Sequence, residues 1–91
     1  MFYPYCTIGE FTEACNSPLN PDGESLVHIE TPDEKLGFKT FECLLPSYSV
    51  VKNVGFGEKE IEGFVNFCRS NAALLLESAR KGGLAETIRN A

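Results

Sequence analysis

The longest regular pattern of apolar and polar residues in the chain runs from Gly57 to Gly83. Apolar residues recur there every three to four positions, the spacing that places them on one face of an α-helix. The residues on this face are Ile61, Phe64, Val65, Cys68, Ala72, Leu75, Leu76 and Ala79. Ser70 interrupts the pattern and is a suitable N-cap, so we predict two helices joined near Ser70, with one bent helix as the alternative.

The residues at the ends of this segment also favour helix. Glutamates occupy its first turn, where the positive end of the helix dipole favours them, and Arg80 and Lys81 occupy its last turn. The pair Gly82-Gly83 can adopt the left-handed conformation that ends many helices. We therefore place the two helices at about 58–69 and 71–81.

Three residues lie away from the main apolar face of these helices, namely Gly63, Phe67 and Leu74. Gly63 costs about 1 kcal/mol of helix stability relative to alanine. One interpretation is that another part of the chain covers these residues. The other is that they bind a protein partner or a second copy of the chain, with Gly63 allowing close approach.

The first part of the chain contains short alternating runs that predict strands. Phe38 to Leu45 is the clearest, because Phe41, Cys43 and Leu45 alternate with polar residues. This is the pattern of a sheet with one buried face and one wetter face.

Weaker signals surround this strand. Two further strands are predicted, from Ser25 to Glu30 and from Tyr48 to Val54. Phe2 to Ile8 is extended in character, and Pro4 places it at a sheet edge because proline cannot donate to a ladder. The segment from Glu10 to Asn16 is ambiguous, and we interpret it as a helical turn.

Two turn regions separate the predicted strands. Asn20-Pro21-Asp22-Gly23 has the residue order of a type I turn, and Thr31 to Gly37 is the second turn region. Strands followed by helices are typical of α+β folds. We predict one domain: an antiparallel meander of three to four strands within residues 1–56, then two helices within 57–83 packed on one face, then a tail, 84–91.

Composition limits the functions that this chain can have. Ninety-one residues with 43% hydrophobic residues are enough for one modest core. The net charge of −5 argues against non-specific binding to nucleic acid or to an anionic membrane. We expect a cytoplasmic protein, because the first ten residues lack a signal-peptide pattern and no apolar run has the length of a membrane span.

The cysteines do not predict a metal site. Cys6, Cys15, Cys43 and Cys68 are irregularly spaced, with no Cys-x-x-Cys, and the chain has one histidine. We therefore expect reduced thiols, with Cys43 and Cys68 buried, and neither a metal nor another cofactor.

The candidate for chemistry is His28 with its acidic neighbours. His28 and Glu30 are two residues apart in a predicted strand, so their side chains share a face, and Asp33 follows in the next turn. A histidine beside a carboxylate can act as a general base. A hydrogen-bonded or solvated sheet face is the alternative, because no nucleophile is tied to this pair by the sequence.

His28-Ile29-Glu30, followed by sheet and helix, resembles a family of small uncharacterised bacterial proteins with an HFHV-type signature, often encoded beside toxin–antitoxin partners. The leucine-rich stretch 69–77 is similar to the helical end of that family. The chain departs from the signature at Ser25-Leu26-Val27, where the family has paired prolines and a first histidine. The resemblance implies a small partner-binding protein of a regulatory module and assigns no catalytic residue.

Two hypotheses follow from these observations. The first is a non-catalytic protein-interaction module, either a homodimer or the acidic partner of a basic protein, because the chain is small and acidic and lacks a catalytic motif. The alternative is a small hydrolase or nuclease-like enzyme that uses His28 with Glu30 or Asp33.

Overall fold

The computed structural model describes residues 2–82, which form an α+β fold of one antiparallel sheet and one C-terminal helix. The elements are β1 (Tyr3–Ile8), β2 (Thr12–Asn16), β3 (Ser25–Asp33), β4 (Gly37–Leu45), β5 (Ser49–Val54) and α1 (Glu58–Lys81). Each strand pairs with the next one along the chain, so the strand order is β1-β2-β3-β4-β5. The predicted α+β class and antiparallel meander are confirmed, whereas the predicted numbers of strands and helices are wrong.

A β-turn that begins at Asn20 is present before β3, at the predicted position. The backbone N–H of Gly23 donates to the carbonyl oxygen of Asn20 over 2.9 Å. The side-chain oxygen of Asn20 also accepts from the backbone N–H groups of Asp22 and Glu24, each at 2.9 Å. Asparagine therefore closes this turn by replacing backbone acceptors with its own side chain.

The predicted turn from Thr31 to Gly37 is shorter in the structure. β3 continues to Asp33, and Thr31 pairs with Lys39 in β4. The carboxylate of Asp33 accepts from the backbone N–H groups of Lys35 and Leu36, at 3.1 and 2.9 Å. This side-chain capping closes a tight hairpin and allows the two strands to lengthen toward it.

Two further boundaries differ from the prediction. The segment from Glu10 to Asn16 is not a helical turn, because it contains β2, which pairs with both β1 and β3. Pairing on both edges outweighs the weak local preference of this segment. The strand predicted to begin at Tyr48 begins at Ser49, because Tyr48 has a positive φ of 61° and turns the chain.

A single helix of 24 residues replaces the predicted helical pair. Ser70 is exposed within α1 and does not begin a second helix. The helix ends at Lys81 and is capped by Gly82, which has a φ of 92° and donates its N–H to the carbonyl oxygen of Ser78 over 3.0 Å. The predicted ion pair between Glu77 and Lys81 is present at 3.3 Å. Gly83 and the predicted tail lie outside the described residues.

The core lies between α1 and the sheet face toward which it packs. The alternating residues Phe41, Cys43 and Leu45 are fully buried, as predicted. The predicted apolar face of the helix lies against them, with Cys68 and Leu75 also fully buried. The hydrogen bond with Cys43, together with burial, raises the pKa of the Cys68 thiol.

Polar side chains join the helix to the first two strands. The amide of Asn16 in β2 donates to the carbonyl oxygen of Leu75 over 3.0 Å and to the hydroxyl of Ser25 over 3.2 Å. The hydroxyl of Tyr5 in β1 donates to the side-chain oxygen of Asn71 over 2.9 Å. These directional contacts fix the position of α1 along the sheet, which apolar packing alone specifies less tightly.

The helix leaves part of the sheet uncovered. It contacts β1, β2, β3 and β4, whereas every residue of β5 is exposed. No described helix packs on the opposite side of the sheet, which we call the open face. Within residues 2–82, no helix has the length and apolar character needed to cross a membrane.

Candidate functional site

The open face carries a regular array of polar and aromatic side chains. Because side chains alternate along a strand, the residues out of phase with the buried ones lie on this face. The open face is defined here by Glu13 and Cys15 of β2, His28, Glu30 and Pro32 of β3, and Phe38, Thr40 and Glu42 of β4. The strand register places Cys15, His28 and Glu42 in one row across the sheet.

His28 lies between two carboxylates on this face. Its Nδ1 lies 2.8 Å from Oε2 of Glu42, and its Nε2 lies 3.2 Å from Oε2 of Glu30. The ring of Phe2 lies beside it, with centroids 5.2 Å apart, and only 18% of the His28 side chain is exposed. A neutral imidazole donates through one nitrogen only, so both contacts are hydrogen bonds only when the ring is protonated.

The structure brings together two of the three residues singled out in the sequence. His28 and Glu30 share the open face as predicted, whereas Asp33 closes the β3–β4 turn and does not contact His28. The second partner of His28 is Glu42, which sequence reasoning missed. A tight turn after Asp33 would have identified it, because that turn sets the register that pairs residue 28 with residue 42.

The nearest thiol to His28 is held in its protonated form. Cys15 pairs with His28 across β2 and β3, and its Sγ donates to the carbonyl oxygen of His28 over 3.6 Å. Burial, together with the negative charges of Glu30, Glu13 and Glu42, raises the pKa of Cys15 to about 11. Because the thiolate is the nucleophilic form, this environment opposes cysteine catalysis near neutral pH.

The raised pKa of Cys15 predicts a loss of stability at alkaline pH. The folded protein retains this proton to about pH 11, whereas the unfolded thiol loses it near 9.0. Stability from this group is therefore complete below pH 9.0 and is lost as pH rises toward 11. Urea unfolding between these two pH values measures how steeply the free energy of unfolding falls with pH. Cys15→Ala should make this fall less steep. Cys6 is exposed, so Cys6→Ala should have a smaller effect. Equal slopes for Cys15→Ala and the unmodified protein would contradict this prediction.

At the hairpin end of the open face, carboxylates surround exposed aromatic rings. Phe11, Pro32 and Phe38 line a shallow groove of about 360 Å³, with Glu10, Glu13 and Glu30 also among its lining residues. The Phe11 side chain is 69% exposed and Phe38 is 51% exposed. Glu13 and Glu30 are direct cross-strand partners, so two like charges face each other at its edge. Such a pair lowers the stability of the sheet.

The three partner-binding candidates on the helix do not form one surface. Phe67 is half-buried and packs against the core, with its ring 6.1 Å from that of Tyr5 in an edge-on arrangement. Gly63 is exposed and lines a second groove with Phe67. Leu74 is 41% exposed and does not line that groove. The chain itself therefore covers much of Phe67 but leaves Gly63 and Leu74 accessible.

The described part of the chain contains no group of three or more His, Cys, Asp or Glu side chains that could hold a metal ion. The chain matches no protein-family model, no curated protein and no solved structure.

Proposed function

We propose that this protein is a small non-catalytic interaction module whose open face binds a basic segment of a partner protein. The observation that carries this proposal is the groove at the hairpin end, where carboxylates surround exposed Phe11 and Phe38. The facing carboxylates of Glu13 and Glu30 lower the stability of the isolated sheet. A partner with arginine or lysine side chains would neutralise the carboxylates and cover the rings.

Charge is the first argument for this partner. Glu13 and Glu30 face each other across β2 and β3, and neither forms an ion pair with a described lysine or arginine. Their repulsion would be relieved by a cation placed between them. The net charge of −5 would also increase the rate at which a basic partner associates.

The aromatic residues are the second argument. A guanidinium group stacks on an aromatic face while it hydrogen-bonds to carboxylates, and Phe11 and Phe38 offer such faces beside Glu13 and Glu30. Arginine is also enriched in protein interfaces for this reason. The groove therefore fits a basic segment better than an apolar or acidic one.

The hydrolase or nuclease-like alternative remains a prediction that the contacts of His28 disfavour. A general base needs a ring nitrogen that is free to accept a proton from the substrate or from water. Both nitrogens of His28 lie against Glu30 and Glu42, and Asp33 is occupied in the hairpin turn. The interaction hypothesis needs none of these groups to be available for proton transfer.

A peptide titration tests the proposed function. The probe is a short peptide with three arginines, and its matched control carries citrulline, which keeps the shape but not the charge. Amide shifts of the labelled protein should change around Glu13, Glu30 and Phe38 with the arginine peptide only. Glu13→Gln should weaken binding about fivefold while slightly raising stability, because it removes the like-charge pair.

Glu62→Gln is the matched control, because Glu62 is exposed on α1 away from the open face. It should leave the affinity for the arginine peptide unchanged. Equal binding of the citrulline peptide, or an unchanged affinity in Glu13→Gln, would refute the proposed binding mode. Affinity for the arginine peptide should also fall as salt rises, because the carboxylates are exposed to solvent.

A further inference from the structure

A second groove lies on the other side of the sheet, beside the first half of α1. Its floor is a row of residues from four strands, Ile8, Thr12, Thr31 and Lys39. Ile8 pairs with Thr12, Thr31 pairs with Lys39, and a side-chain hydrogen bond joins Thr12 to Thr31. These side chains share the helix-facing side, because Thr31 and Lys39 are in phase with the buried residues of their strands. The groove is therefore separate from the open face and does not depend on the function proposed above.

The walls of this groove are aromatic. Phe56, at the start of the helical segment, and Phe64 on α1 meet edge to face, with ring centroids 4.8 Å apart. Phe67 lines the groove one turn further along the helix. The volume between these rings and the strand row is about 400 Å³, within the usual range for small-molecule sites.

Gly63 leaves this groove open. It lies inside α1, where glycine lowers helix stability, and a Cβ atom built on it meets nothing within 4 Å. The fold therefore does not require glycine at this position, since alanine would fit and would favour the helix. Because Gly63 lines the groove, a larger side chain there would occupy its space.

The polar groups of the groove fit an anion. Lys39 is half-buried, its Nζ lies 5.8 Å from the centroid of the Phe56 ring, and it forms no ion pair within residues 2–82. The hydroxyls of Thr12 and Thr31 hydrogen-bond to each other. This contact uses one of their two protons, so the other can be donated to a ligand.

One acidic residue, Glu60, also lines the groove, but its carboxylate already accepts a hydrogen bond from the backbone. Oε1 of Glu60 accepts from the backbone N–H of Gly57 over 3.2 Å. It lies in the first turn of α1, where the positive end of the helix dipole offsets a negative charge. Lys39 is the cationic side chain among the lining residues.

We propose that this groove binds a small carboxylic acid with an aromatic or aliphatic body. The body lies between Phe56, Phe64 and Phe67 in the space beside Gly63. The carboxylate accepts from the ammonium group of Lys39 and from a hydroxyl of the threonine pair. Apolar burial supplies affinity, and the charge-assisted hydrogen bond to Lys39 selects the anion.

The probe for this site is 4-phenylbutyrate, compared with 4-phenylbutanol and 4-phenylbutylamine, which share its body but not its charge. In a titration of the labelled protein, the carboxylate should shift the amides of Thr31, Lys39 and Gly63. It should also raise the melting temperature, by an amount that grows with the logarithm of its concentration once this exceeds the dissociation constant. The alcohol should bind at least about tenfold more weakly than the carboxylate, and the amine more weakly still.

Two pairs of variants separate binding from folding. Gly63→Leu should raise the melting temperature of the unliganded protein but abolish binding, whereas Glu62→Leu, on the adjacent exposed position, should leave binding intact.

Lys39→Met should weaken carboxylate binding at least about tenfold without affecting binding of the alcohol. Lys52→Met on β5 should change the affinity for neither ligand. Absence of carboxylate binding at millimolar concentration would overturn the proposal. So would unchanged binding in folded Gly63→Leu, or equal affinities for the acid and the alcohol.

Discussion

Phe67→Glu should destabilise the protein by about 3 kcal/mol, because it combines a lost aromatic contact with a charge placed against the core. Phe67 is half-buried and meets the ring of Tyr5 edge to face at 6.1 Å. A glutamate there would remove this packing and would place a carboxylate against apolar core residues. Urea unfolding followed by circular dichroism measures the change.

Leu74→Glu is the matched control for this variant. Leu74 is on the same helix but 41% exposed, so the same glutamate should change stability by less than about 0.5 kcal/mol. If both variants remain equally stable, Phe67 is not part of the core and is available to a partner. The two interpretations of Phe67 made from the sequence are therefore distinguished by one pair of unfolding curves.

Phe41→Ala should lower the free energy of unfolding by about 3–5 kcal/mol, the usual range for removing a fully buried phenylalanine. Phe41 lies in the middle of β4 with no solvent exposure, and its ring centroid lies 5.3 Å from that of Phe64 on α1. The substitution leaves a cavity between the sheet and the helix that neighbouring side chains fill only in part. A small domain has a total stability of about 5–15 kcal/mol, so this loss is large.

Phe11→Ala provides the control for Phe41→Ala, because the side chain of Phe11 is 69% exposed. It should leave stability within about 0.5 kcal/mol but weaken binding of the arginine peptide. A comparable loss of stability in both variants would mean that Phe11 contributes to the core. Loss of stability in neither would contradict the position of the sheet–helix core.

The elements predicted correctly are those in which the regularly spaced apolar residues are also the residues buried in the core. The alternation around Phe41, Cys43 and Leu45 identified β4, and helical spacing identified the buried face of α1. β2 was missed because five residues give too little periodicity, and this strand depends on pairing with both neighbours. The break predicted at Ser70 failed because serine is tolerated inside a helix when its neighbours pack well.

The candidate site was predicted in part for a similar reason. Period-two spacing was sufficient to place His28 and Glu30 on one face. The contact with Glu42 depends on the β3–β4 register, which is set by the three residues between Asp33 and Gly37. The sequence predicted a longer turn of seven residues, from Thr31 to Gly37, which does not specify this register. The grooves could not be predicted, because each includes a residue of β2, a strand that was not identified from the sequence.

The polar contacts between the helix and the first strands have a consequence for synthesis of the chain. Asn16 bonds to Leu75, 59 positions later, and Tyr5 bonds to Asn71 across an interval of 66. A ribosome makes the whole sheet before it makes α1, so a nascent chain exposes the buried side of Val27, Ile29 and Phe41 until α1 emerges. During that interval, the growing polypeptide presents the kind of apolar surface to which chaperones bind and through which unfinished chains aggregate.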